Sequence, residues 1–294
     1  MLDPSMLICS DRKGSLFMNV FQAAVLGIVQ GLAEFLPISS SGHLELAQHL
    51  MGLSGDGSVM LLLTVLLHVG TLAAVVVVFW QDWWNMLRHL FRSRLLGLLI
   101  IASVPALIAA LLLGDAMDAL FGNGFLGIAF LITALFLVLT ERLSKKGRHA
   151  ACDQEVGVKH AVAMGLMQAV AILPGVSRSG STLLGGVASG LSREKAAKFS
   201  FMMSAPAILG SLLVEGKSAV ESGAFSVLSA NLLPVVVGVL LAAVCGFLAI
   251  RYMLRLINRI SFYWFALYMG VLGAVVIVLQ LTGASWLPAL PFMG

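Results

Sequence analysis

Residues Gly27 to His43 read G-I-V-Q-G-L-A-E-F-L-P-I-S-S-S-G-H, and residues Gly165 to Ser181 read G-L-M-Q-A-V-A-I-L-P-G-V-S-R-S-G-S. Both stretches are helical in pattern, and both are broken by Leu-Pro followed by a cluster of serine and glycine. They are copies. Gly27 to Gly165 is 138 residues, and Gly42 to Gly180 is also 138. At that offset Gln30 falls on Gln168, Ser39 on Ser177 and Ser41 on Ser179, while Pro37 and Pro174 slip by one. Each copy therefore holds two half-length helices, within about 18–52 and 158–191, joined by a polar break. Irregular backbone of this kind is tolerated at membrane depth only where protein or a water-filled cavity surrounds it.

The rest of the chain says that membrane depth is the right setting. Of 294 residues, 60% are hydrophobic and only 11% are charged, against roughly 25% charged in a soluble globular chain. Six apolar stretches are long enough to cross a bilayer: about 59–80, 95–114, 124–140, 196–214, 230–250 and 261–281. No polar stretch is long enough for a soluble domain; the longest is about Glu141 to His160. The expected fold is all-α: a single integral membrane domain of six transmembrane helices plus two re-entrant helical hairpins.

Each hairpin is followed by three spans. A re-entrant hairpin leaves the membrane on the side it entered, and three spans cross an odd number of times. The second copy then starts on the opposite face. Repeat one, about 18–140, and repeat two, about 158–282, are expected to be inverted, with functional groups at the midplane. Fourteen of the 18 basic residues, including Arg88, Arg94, Arg142, Lys195, Arg251 and Arg255, fall in loops on one side. Lys and Arg accumulate in cytoplasmic loops, so that side is cytoplasmic and both termini are periplasmic. Asp115, Asp118, Glu215 and Glu221 fall on the other side.

The same rule accounts for the net charge of +4 without nucleic acid, which is excluded as a partner. Cys9, Cys152 and Cys245 are isolated and suit neither a disulfide framework nor a zinc site. Arg12 and Lys13 precede an apolar stretch, but no A-x-A-like cleavage site follows, and Met18 serves equally well as a start.

Arg178 is the basic residue expected within membrane depth, where an arginine costs at least about 2.5–3.5 kcal/mol and needs a partner or a task. A structural arginine bonded to carbonyls is one reading. The other is an anion clamp, because a guanidinium fork matches phosphate oxygens. Glu34 is the matching acid, one helical turn after Gln30, with Gln22 extending the face. Glutamines can simply glue helices together, which explains an intramembrane carboxylate less well. His43 follows Ser40 by three residues at the start of a new helix. Both breaks end at helix N-termini, which favour anions. The copies have diverged: Ser40 corresponds to Arg178, and His43 to Ser181. One hairpin offers acid, serine and histidine; the other offers a cation and hydroxyls.

Q-G-L-A-E-F-L-P-I-S-S-S-G-H and P-G-V-S-R-S-G-S-T resemble the two signature motifs of the bacitracin-resistance type undecaprenyl-diphosphate phosphatases, and the resemblance extends over about residues 20–282. It implies an inner-membrane hydrolase that removes the terminal phosphate of undecaprenyl diphosphate and regenerates the lipid carrier of cell-wall synthesis, using a divalent cation, Mg or Ca. Residue by residue it places the first motif's E/Q position on Gln30, its acid on Glu34, its serine on Ser40 and its histidine on His43. The second motif falls on Ser177, Arg178, Ser179 and Thr182. Where many members carry Glu, this chain has Gln30, which must coordinate through its amide oxygen or leave the metal to Glu34.

The expected mechanism is phosphoanhydride hydrolysis. Arg178 and the hydroxyls of Ser39, Ser41, Ser177, Ser179 and Thr182 hold the diphosphate, and a cation on Glu34, with Gln30, neutralises charge. Ser40 attacks phosphorus and His43 takes its proton. His43 as nucleophile, or water activated by Glu34, also fits the pattern. The partners are the polyprenyl diphosphate and membrane lipid, and a homo-oligomer is compatible with the sequence. The rival reading is a lipid-carrier or ion transporter on the same inverted-repeat scaffold. A non-catalytic membrane subunit leaves the Glu–Ser–His–Arg set unexplained.

Overall fold

The computed structural model describes residues 18–53, 57–90, 92–121, 123–146, 155–221, 232–284 and 287. Cys9, Arg12, Lys13, Arg148, Cys152 and both chain ends, on which sequence expectations fall, lie outside them. Among the described residues the chain is all-helical, with eleven α-helices and no strand. In chain order these are α1 (Val20–Phe35), α2 (Ser40–Leu50), α3 (Gly57–Val78), α4 (Trp80–Arg88), α5 (Arg94–Phe121), α6 (Leu126–Lys146), α7 (Val158–Val170), α8 (Arg178–Ala188), α9 (Arg193–Glu221), α10 (Leu232–Leu256) and α11 (Phe262–Leu281).

Six of these helices are long and apolar enough to cross a membrane: α3, α5, α6, α9, α10 and α11. They coincide with the six stretches read from the sequence. Two differences are local. Residues 80–88, expected as loop, form α4, because Trp80, Trp84 and Leu87 share one face while Asp82 and Arg88 can stay in water. Helices α5, α6, α9 and α10 also continue past the stretches read from the sequence, to Phe121, Lys146, Glu221 and Leu256.

The helices pair reciprocally. The first helix of each broken pair packs on the second span of the other half, α1 on α10 and α7 on α5. The first spans pair with each other, α3 with α9, and so do the third spans, α6 with α11. Small residues permit the closest of these approaches. A Cβ on Gly165 would lie 2.5 Å from the carbonyl oxygen of Ala102, and one on Gly27 would run into the carbonyl of Gly238. Backbones meet here because no side chain stands between them, the usual device where lipid offers no hydrophobic drive to association.

The two breaks lie between α1 and α2 and between α7 and α8, and they are stitched together. Helix α1 ends at Leu36, whose backbone turns extended ahead of Pro37. Ser39 caps α2, its Oγ accepting from the Gly42 amide. Ser39 holds a left-handed backbone, φ 70°, a conformation that costs a non-glycine residue roughly 1–3 kcal/mol and persists only when its surroundings impose it. The surroundings here are the other break: Ser39 Oγ donates to the Gly175 carbonyl at 2.6 Å. Ser177 caps α8 in the same way. Ser179 Oγ then donates back to the Leu36 carbonyl at 3.1 Å.

Candidate functional site

At this junction the side chains converge on Glu34, which sits in the last turn of α1 and is 6% exposed. Its Oε1 accepts from Arg178 Nη2 at 2.5 Å. Its Oε2 accepts from Ser40 Oγ at 2.6 Å and from Gln30 Nε2 at 3.2 Å. His68 of α3 brings Nε2 to 3.5 Å from the same oxygen. One carboxylate thus ties together both broken pairs and the first span. Arg178 opens α8, where its second nitrogen, Nη1, donates to the Ser200 carbonyl at 3.0 Å. Two fixed acceptors hold the guanidinium plane, and the side chain stays 18% exposed.

The expected groups divide into those that reach this centre and those that hold it in place. Glu34, Ser40, Arg178 and Gln30 meet. Ser39, Ser177, Ser179 and Thr182 are buried, with hydroxyls committed to the scaffold. Ser177 Oγ caps Gly180 N and lies 3.3 Å from Ser179 Oγ. Thr182 Oγ1 donates to the Arg178 carbonyl at 2.9 Å and bonds Ser200 Oγ at 2.6 Å. Ser41 is exposed. Gln22, expected to extend the Glu34 face, instead closes a capping box with Asn19 at the start of α1.

His43 is placed differently from its expected role beside Ser40. Its Nδ1 lies 2.8 Å from the Ser39 carbonyl, an acceptor, so Nδ1 carries the hydrogen. In the neutral ring Nε2 then accepts from the Tyr268 hydroxyl at 2.7 Å. The ring packs between Phe130 and Tyr268. Ser40's hydrogen is directed to the Glu34 carboxylate and not to His43. Gly42 keeps this turn close to α6, where a Cβ would collide with the Phe130 ring.

Three contributors went unread in the sequence. His68 stands in the apolar run of α3, and an ionisable residue at that depth is itself a signal of function. Ser200 and Tyr268 act through a carbonyl and a hydroxyl in otherwise apolar spans, and no sequence pattern marks them.

The centre has donors for a hard cation. Gln30 is fully buried, and its Oε1 has no hydrogen-bond partner. A buried amide oxygen without a donor fits an electrophilic neighbour, and it sits one turn from the Glu34 carboxylate. Hard divalent cations take such oxygen ligands and complete their shell with phosphate oxygens and water. Among the described residues no cluster of three His, Cys, Asp or Glu side chains forms a metal cage, so substrate oxygens would have to supply part of the shell. His68 Nδ1 donates to the Thr64 carbonyl, which leaves Nε2 to face Glu34 either as an imidazolium hydrogen or as a nitrogen donor.

Comparison with known proteins gives the family. The family model described as bacitracin resistance protein BacA matches residues 23–275. An undecaprenyl-diphosphatase of Carboxydothermus hydrogenoformans is 41% identical over 267 residues, 90% of this chain and 99% of the relative. One from Halothermothrix orenii is 37% identical, covering 89% of this chain and 98% of its own. Undecaprenyl-diphosphatase 4 of Bacillus thuringiensis strain Al Hakam is 39% identical, covering 90% and 99%.

Proposed function

The chain belongs to the bacitracin resistance protein BacA family, and on that premise we propose that it acts as an undecaprenyl-diphosphate phosphatase. It is a multi-pass membrane enzyme that hydrolyses undecaprenyl diphosphate to undecaprenyl phosphate and inorganic phosphate, returning the lipid carrier to cell-wall synthesis. The observation that carries the chemistry is the position of Glu34, with Ser40 on one oxygen and Arg178 on the other.

In the proposed reaction the terminal phosphate takes the place of Glu34 as the partner of Arg178, whose guanidinium fork suits phosphate oxygens better than a point charge would. The positive ends of α2 and α8 meet at the same place and favour the same anion. Ser40 Oγ forms the new bond to phosphorus while its hydrogen passes to Glu34 Oε2. The bond from phosphorus to the bridging oxygen breaks, and undecaprenyl phosphate leaves with the proton returned by Glu34, which is again a carboxylate. Water then cleaves the serine phosphate: the restored Glu34 carboxylate takes the water's proton and passes it to Ser40 Oγ as phosphate leaves. A divalent cation, Mg or Ca, held by Glu34 and Gln30 Oε1 would neutralise charge on the phosphate oxygens. His43, tied to Tyr268, flanks the serine; with the ring protonated and Tyr268 displaced, Nε2 can donate to the leaving oxygen.

The setting we propose is the bacterial inner membrane, with the two broken pairs as re-entrant hairpins of an inverted repeat and both termini periplasmic. The basic loops on one side support that orientation, and the reciprocal helix pairing supports the repeat. The decisive experiment is phosphate release from a polyprenyl diphosphate by the purified protein in detergent. Hydrolysis needs one compartment and transport needs two. Cation-dependent release is expected; its absence in folded protein would leave the transporter reading.

A further inference from the structure

The chain carries a basic cavity away from Glu34. It measures about 360 Å³, within the size range of small-ligand sites, roughly 300–1,000 Å³. Its rim is formed by Arg94 at the start of α5, Glu155 just before α7, and Lys195 and Lys198 in the first turns of α9. Its floor is apolar, with Leu98 and Phe199 among its residues. From these features we propose that it binds the headgroup of an anionic phospholipid of the surrounding bilayer, the phosphate on the rim and the glycerol and upper acyl chain against the floor.

Position argues for a lipid. The apolar windows of α5 and α9 begin at Arg94 and Arg193, so the rim lies where hydrocarbon gives way to water. Helix α4 marks the same level. Trp80 and Trp84 stack on one another, exposed, and Arg88 lies over the Trp84 ring at 4.9 Å. Exposed tryptophans of this kind gather at headgroup depth. Asp82 of α4 pairs with Lys198 at 3.0 Å and so brings this helix to the edge of the cavity.

Charge argues for an anionic headgroup. Three cations stand on the rim; Asp82 at its edge holds Lys198, and one lining carboxylate faces Arg94. That carboxylate, Glu155, is 79% exposed and bonds Arg94 at 3.0 Å. An exposed pair of this kind holds by at most about 1 kcal/mol, so a phosphate can displace it and inherit Arg94. Basic pockets between membrane helices on the face that carries the basic loops are suited to anionic headgroups. A zwitterionic headgroup brings an ammonium into the same cluster and gains much less. The proposal does not depend on the phosphatase chemistry, and Ser40→Ala protein should show the same lipid response.

The test is the thermal midpoint of delipidated protein in neutral detergent, titrated with phosphatidylglycerol, phosphatidylcholine or soluble glycerol phosphate. Phosphatidylglycerol should raise the midpoint saturably, and the other two should not at equal concentration. Arg94→Gln with Lys198→Gln should raise the half-saturating concentration about tenfold or more, as expected for lost hydrogen bonds to a charged group. Glu155→Gln removes the competitor and should lower it. Equal stabilisation by phosphatidylcholine would overturn the charge argument, and equal stabilisation by glycerol phosphate would overturn the lipid argument. Should the double variant fail to fold, Glu155→Gln decides alone: an unchanged half-saturation point rejects the site.

Discussion

Glu34→Gln tests the central reading most directly, because the substitution preserves shape and removes one property. The carboxylate accepts on both oxygens, from Arg178 and from Ser40. An amide accepts on one side only. If its oxygen faces Arg178, its NH2 meets the Ser40 hydroxyl and Gln30 Nε2; if it faces Ser40, the NH2 meets the guanidinium. Either way donors oppose donors, and no group beside Ser40 takes a proton. Losing a positioned general base costs about 10²–10⁴ in rate, which is about 2.7–5.4 kcal/mol at 1.36 kcal/mol per decade. Stability falls as well, since breaking a buried pair costs roughly 3–5 kcal/mol. The lower end applies, because Arg178 keeps the Ser200 carbonyl and is 18% exposed. Binding moves the other way: with the carboxylate gone, nothing competes with phosphate for Arg178. The assay is single-turnover phosphate release at saturating cation, paired with binding of a non-hydrolysable methylene diphosphonate analogue. The expected result is a hundredfold or greater loss of turnover by the general-base estimate, with analogue affinity kept or improved. Turnover within tenfold of the parent would refute Glu34 as the base. A parallel loss of analogue binding would make Glu34 a ligand-holding group instead.

Ser40→Ala should abolish release at every cation concentration, since no metal restores a missing oxygen; substantial residual turnover, measured by phosphate release, would move the attack to His43 or to water. Arg178→Lys keeps the charge and loses the fork, and turnover should fall about tenfold or more for one lost charge-assisted bond; near-parental release by folded protein would make the arginine structural. Gln30→Glu adds a second carboxylate and should lower the cation concentration for half-maximal activity; an unchanged requirement removes Gln30 from the metal. Cysteine placed at Gly294 should react with an impermeant reagent from the periplasm, and cysteine at Ser144 should not; the reverse pattern would overturn the orientation.

The spans and the two breaks were legible because they rest on strong local signals. Long apolar runs have few structural outcomes, and Leu-Pro followed by serine and glycine stops a helix wherever it occurs. Arg178 and Glu34 were legible as a pair by cost: each is expensive in lipid alone, and each is the partner the other needs. What the sequence could not show is how single hydroxyls are spent. Ser177, Ser179 and Thr182 carry the motif that suggests phosphate binding, yet the structure commits them to capping and cross-bracing. Ser40 and His43 share a first turn, yet Ser40 donates to Glu34 and His43 to the Ser39 carbonyl. Sequence spacing gives the helical face, whereas these choices depend on acceptors contributed by other elements.

That dependence explains why the two copies diverged. Had both breaks kept serine at the position of Ser40 and Arg178, the junction would hold hydroxyls and one uncompensated carboxylate. Had both taken arginine, two guanidinium groups would face one another. With one of each, a single carboxylate satisfies both, accepting the serine hydrogen on one oxygen and the arginine on the other. Ser39 and Ser179 lock the breaks together by reciprocal bonds to Gly175 and Leu36, so neither half positions the site alone. The strained backbone of Ser39 then has a physical reason. The bond to Gly175 that holds it there is also the bond that fixes the register of the Ser40 turn against Arg178. Replacing Ser39 by Gly would relieve the strain and remove that tether, leaving the Ser179–Leu36 bond and the shared Glu34 carboxylate to hold Arg178 against Ser40.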